Sequence, residues 1–166
     1  MRKCFKVLLV LALLSTACLF GGCGMIHNDT GVKADAQMEK IMSAIMDQDK
    51  EALRLLFSEK ALKEANDFDE RIDYLFALFE DNIDNYERDG WASDGSRENS
   101  NKTLMIRFSI VINPDKEEYR LFIIDYYTDT INPDNQGIYM IELIKSENRS
   151  SLEPWQDRMR AGIYIH

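Results

Sequence analysis

Apolar residues follow one period up to Phe79 and another from Leu104 onward, so the chain must build helices first and a sheet second. Met38, Ile41, Met42, Ile45 and Met46 stand at i, i+3, i+4, i+7 and i+8, one stripe of a helix, with Glu39, Lys40 and Asp47 outside it. Methionine at that spacing is core filler far more often than a binding groove. Asp49 predicts the cap of a second helix reaching Phe57, with Leu53, Leu56 and Phe57 inward, and Ser58 or Glu59 starts another turn. Asp67 with Glu70 three residues on has the spacing of a capping box, opening a helix with Ile72, Leu75, Phe76 and Phe79 on one face. After Asp81 the period becomes two. A short strand is expected around Tyr86, then a polar loop over residues 91–103 with turn signals at Asp94-Gly95 and Asn101. Residues 104–112 alternate strictly, with Leu104, Ile106, Phe108, Ile110 and Ile112 on one side. Residues 119–128 are apolar on both faces, residues 138–144 form a third run, and Pro-Asp turns separate the three, which predicts an antiparallel meander.

Helices followed by strands, without βαβ alternation, give an α+β fold with the helices gathered on one face of a curved sheet. At 166 residues and 45% hydrophobic, the chain is sized for one domain, expected over residues 35–166. The run Ile45-Met46-Asp47-Gln48-Asp49-Lys50-Glu51-Ala52-Leu53 leading to Leu56-Phe57-Ser58, a further helix and long strands resemble the nuclear transport factor 2-like (cystatin-like) cone. With Asn132-Pro133-Asp134-Asn135-Gln136-Gly137-Ile138-Tyr139, residues 35–145 are similar more narrowly to an uncharacterised family of Gram-positive lipoproteins with that fold. The resemblance rests on packing and turn motifs. It implies a fold and no chemistry, because such a fold serves enzymes, binders and scaffolds alike.

The N-terminus reads as an address. Arg2, Lys3 and Lys6 precede an unbroken apolar run, residues 7–14. The apolar stretch to Phe20 is about 21 Å as a helix, short of the roughly 30 Å of a bilayer core, so residues 1–22 read as a signal peptide rather than a span. Gly21-Gly22-Cys23 resembles the lipobox of bacterial lipoproteins, in which small residues precede a thiol that receives the lipid; Cys18 after Ser15-Thr16-Ala17 is the alternative. Residues 23–34 follow as a lipidated tether. The expected place is the extracytoplasmic face of a cell membrane, with the lipid bilayer as partner through the acyl anchor.

Charge narrows the remaining partners. Three of the 20 basic residues belong to the leader, leaving 17 against 29 acidic ones, a balance of −12 that disfavours nucleic acid. His27 and His166 lie at the edges and all three cysteines precede residue 24, so no interior Cys–His chemistry, zinc finger or cofactor is expected. Asp134-Asn135-Gln136-Gly137 lacks the Asp-x-Asp lead and closing Glu of a calcium loop and reads as a turn. Charged residues inside apolar strands are the pocket candidates: Asp125 and Arg107, with Tyr127 and Trp91 as aromatic lining. Enclosure would lift the Asp125 pKa toward that of a general base. The bland alternative puts Arg107, Asp125 and Glu142 on one outer face as cross-strand charge pairs. The readings compared are a non-catalytic envelope module that binds a small ligand or envelope protein, a pocket enzyme of the isomerase or dehydratase type with Asp125 as base, and an adaptor that homodimerises through its sheet.

Overall fold

The computed structural model describes residues 24–80, 83–113, 117–151 and 154–166. The chain divides into two compact units, Met1–Lys33 and Ala34–His166. The signal-peptide reading, Cys18 and Cys23 lie outside the described residues. In the first unit the described backbone is already helical: α1 spans Gly24–Met46, and Lys33 forms an i,i+4 ion pair with Asp29. The helix therefore begins at Gly24, well before Met38, where the apolar stripe that signalled it starts. Extending an existing helix adds one hydrogen bond per residue without a new nucleus, so a sequence with no period of its own can be recruited.

The second unit follows the order expected. The α1 stripe buries Ala34, Met38, Ile41, Met42 and Ile45, while Met46, in the last turn, is 54% exposed. α2 (Lys50–Leu55) is capped by the Asp49 carboxylate, which accepts the Ala52 N–H at 2.9 Å. α3 (Glu59–Glu64) is capped by Ser58 Oγ, which accepts the Ala61 N–H at 3.1 Å. α4 (Phe68–Phe79) buries Phe68, Ile72, Leu75, Phe76 and Phe79. Its expected capping box is not formed: Asp67 makes no side-chain cap and instead accepts a hydrogen bond from Arg71 Nε at 2.8 Å. An ion pair one turn along the helix takes the carboxylate that the backbone would have used.

The described strands form one sheet in the order β1 (Tyr86–Glu98), β2 (Asn101–Ile112), β3 (Tyr119–Asp129), β4 (Gly137–Lys145), β5 (Gly162–Ile165). The first four pair antiparallel, so the predicted meander is present, and β5 adds parallel to β4. The polar stretch 91–103 is not a loop. It is the distal half of a long hairpin whose turn sits at Asn99-Ser100, with Asn99 in the left-handed region at φ 56°. Pairing with β2 satisfies its backbone, and exposure on both faces explains why no apolar alternation marks it. Gly137 opens β4 at φ 119°, where a Cβ would sit 2.9 Å from the Leu56 carbonyl oxygen and the Ser58 nitrogen. That close approach lets Ser58 N–H donate to the Ile138 carbonyl and Ile138 N–H to the Leu56 carbonyl, tying the helices to the sheet.

Helices α1 to α4 cover the inner face, whose core includes Ile106, Phe108, Ile110, Ile112, Leu121, Ile123, Ile138, Ile141 and Leu143. The opposite face carries Ile124, Met140, Glu142 and Ile144, all buried. Part of its cover is the crossover from β4 to β5, which brings the Arg160 N–H to Met140 sulfur and the Arg158 guanidinium to Glu142.

Candidate functional site

β3 carries the most unusual group. Asp125 is 3% exposed and stands across from Ile106 on β2 and Ile138 on β4, both in the core, which places it on the inner face. Desolvation pushes its carboxyl up to about 6, and the Lys40 ammonium on α1 pulls weakly the other way. No hydrogen bond reaches this carboxylate from the described residues, so burial acts on it without the compensation that buried carboxylates usually receive.

Arg107 is one residue past Ile106 and therefore on the other face. It stands opposite Ile124, and its Nη2 donates to Asp94 on β1 at 2.5 Å. The sheet thus separates Arg107 from Asp125. Neither the expected shared pocket nor the expected row of charge pairs forms: Arg107 engages Asp94, and Glu142 engages other partners. Trp91 pairs with Phe108 and packs on the core, beside a shallow cleft of about 250 Å³ that Arg107 also lines. Tyr127, two residues beyond Asp125, is 43% exposed.

Glu142 is 1% exposed, paired with Arg158 and 3.0 Å from His166 Nε2. Two cationic or donor groups on one buried carboxylate offset its desolvation. The sequence flagged Glu142 as a break in an apolar strand, but not its partners, because Arg158 comes from the β4–β5 crossover and His166 from beyond β5. His166 also lines a charged cleft of about 480 Å³ between α4 and the ends of β3, β4 and β5. Arg71, Lys145, Asp67 and Glu70 stand around its walls, Arg71 paired with Asp67, and Tyr74 and Tyr119 supply aromatic surface. The Lys145 pKa is raised by its contacts with Glu117 and Glu147, so the ammonium is a fixed cation rather than a proton donor. A third cleft, about 530 Å³, lies between α3 and the turn before β4, lined by Lys60, Lys63, Glu64 and residues 131–135. Asp129 holds that turn by accepting the Asn132 and Ile131 N–H groups and Asn135 Nδ2. Those bonds, the Asn132 one foremost, hold its carboxyl below the usual range. Pro133–Asn135 is thus a short 3₁₀ turn that leads through Gln136 into β4, and among the described residues no group of three His, Cys, Asp or Glu could hold a metal. Asp125 lines none of these three clefts.

No described helix is long and apolar enough to cross a membrane. No curated protein matches the chain. A family profile does match, over residues 40–146, from within α1 to one residue past β4. This chain belongs to that family, described as Domain of unknown function (DUF5104).

Proposed function

We propose that this protein is a membrane-anchored, extracytoplasmic binding module that holds a small polar ligand, or an envelope partner's segment of the same chemistry, without transforming it. The observation that carries the reading is the division of labour between sites. The open cleft beside α4 presents fixed charges of both signs and two tyrosines, whereas the carboxylate tuned toward base chemistry, Asp125, lies under the helices and away from that cleft. A cleft with both signs on its walls suits a zwitterionic or peptide-like ligand, whose ammonium and carboxylate each find a counter-charge. Helices before strands, gathered on one side of the sheet, support grouping the domain with the nuclear transport factor 2-like cones. The basic start, the short apolar run and Gly21-Gly22-Cys23 support lipid attachment at Cys23, which would raise the effective concentration of the module at the membrane.

The test is a thermal-shift panel of free amino acids and short peptides on the full chain, repeated with Tyr74→Ala. Tyr74 is 57% exposed, so its loss leaves the core intact. A stabilising ligand whose effect disappears in the variant supports the reading; a panel without any shift, or a shift indifferent to Tyr74, refutes it. A second reading, a pocket enzyme with Asp125 as general base, is favoured by the raised pKa of that carboxyl alone. Turnover of any small metabolite that collapses in Asp125→Asn would establish it over the first.

A further inference from the structure

The cleft beside α4 carries both signs of charge, yet the two are not equally open. Each cation on its walls is outnumbered by acids. Arg71 pairs with Asp67 at 2.8 Å, and Glu70 adds its field to the same guanidinium. Lys145 pairs with Glu117 and, at 3.2 Å, with Glu147. Two carboxylates to each cation leave these walls net negative, so a further anion would enter against repulsion. Glu70 differs from the other acids. It is exposed to the cleft, and among the described residues its carboxylate takes part in no ion pair or hydrogen bond.

His166 adds a second acceptor. Its Nε2 lies 3.0 Å from Glu142 Oε1, while the other oxygen of that carboxylate holds the Arg158 guanidinium. A carboxylate paired with a guanidinium accepts, so Nε2 carries the hydrogen of the bond. In the neutral ring Nδ1 is then a bare acceptor directed away from Glu142, with no partner among the described residues. Glu70 and His166 thus offer acceptors in want of a donor, whereas the cations have carboxylates to spare. The surface between them also suits a cation. Glu70, Tyr74 and Leu78 stand at i, i+4 and i+8 of α4, one helix face that runs from charge through an aromatic ring to an aliphatic side chain. Tyr119, Leu143 and Ile165 continue the apolar wall. Tyrosine rings attract a cation and repel an anion at their faces.

Resting on the binding function proposed above, we infer that the ligand of this cleft is an organic cation: a primary ammonium seated on Glu70, carried by an aromatic or aliphatic body that lies along Tyr74 and Leu78. The ammonium is the recognised end, and a carboxylate on the ligand is dispensable. The same chemistry ends a free amine or the N-terminus of a peptide with an apolar first residue.

Isothermal titration of the full chain at pH 8 tests this with phenethylamine and 3-phenylpropanoate, which share ring and chain and differ in the sign of their charge. The amine is expected to bind and the carboxylate not. Glu70→Gln, at an exposed position, should weaken the amine roughly tenfold or more and keep the wild-type melting temperature. Lys145→Gln removes a cation from the wall and should tighten the amine, the opposite of its effect if the lysine held a ligand carboxylate. Phenylalanyl-glycinamide binding more tightly than phenethylamine assigns the peptide as the source, and weaker binding assigns the free amine. Preference for 3-phenylpropanoate, amine binding indifferent to Glu70→Gln, or amine binding weakened by Lys145→Gln would each overturn the inference. So would silence from phenethylamine while an amino acid or peptide still stabilises the chain through Tyr74, a result that leaves the binding function standing. Silence from every amine, amino acid and peptide removes both.

Discussion

Asp125→Asn tests the inner face most directly. In the folded chain the carboxyl titrates at about 6, against 3.8 for an exposed aspartate. The folded state therefore holds this proton more tightly than the unfolded state. Below pH 3.8 both states are protonated and burial of the neutral acid costs little. As pH rises from there to about 6 the unfolded chain ionises first, and stability falls by about 1.4 kcal/mol per pH unit. Above pH 6 the full penalty is present, about 3 kcal/mol. At pH 5 some of it is relieved, about 1.4 kcal/mol relative to pH 8. Raw pH dependence of the wild type would obscure this, because carboxyls held below their usual range, Asp129 and Glu117 among them, contribute stability that is lost as pH falls. The double difference isolates Asp125. Urea unfolding of wild type and Asp125→Asn at pH 8 and pH 5 should show the variant gaining stability over the wild type at pH 8. That advantage should shrink by about 1.4 kcal/mol at pH 5. An advantage that is equal at both values, or grows on acidification, would show that Asp125 is not a desolvated carboxylate and would refute its placement under α1.

Three further outcomes are expected. Phe76→Ala removes the ring of a residue 7% exposed on the buried face of α4 and should cost about 3–5 kcal/mol in chemical denaturation. Gly137→Ala forces a side chain onto a backbone at φ 119° and against the Leu56 carbonyl, and should lower stability by roughly 2–4 kcal/mol in the same assay. Cys23→Ala should move the protein from the membrane fraction to the soluble one, and mass spectrometry of the wild-type N-terminus should find an acylated Cys23 and not Cys18.

Helix stripes were legible because each side chain at i, i+3 and i+4 votes for the same face. The stripes of α1 and α4 land on the core, and Asp49 and Ser58 cap where their positions suggested. What the period missed was structure made by neighbours. Residues 93–98 have no apolar side chain on either face and become a strand because β2 offers a free ladder, so nothing in their own pattern announces it. The start of α1 is similar: Gly24 to Lys33 shows no stripe, yet continues a helix nucleated further along.

The candidate site failed to assemble from sequence for a different reason, one of parity. In β2 the polar positions fix the faces, and Arg107 is where its alternation puts it, opposite Ile106 and Phe108. β3 is apolar on both sides, Leu121 and Ile123 inward and Ile124 outward, so its pattern cannot say which face Asp125 shares. A bulge between Ile124 and Asp125 then resets the register with β4: Ile124 faces Met140, while Asp125 faces Ile138. That step keeps Ile138 on the core side with Ile141, and it leaves Glu142 on the outer side with Met140. The inserted residue, Tyr139 on the neighbouring strand, thus lets the inward Asp125 keep a core residue beside it on β4 while Glu142 faces the other way. The groups that do converge, Glu142, Arg158 and His166, come from segments 16 and 24 residues apart. Only the crossover to β5 brings them together, and a crossover leaves no periodic trace in the sequence.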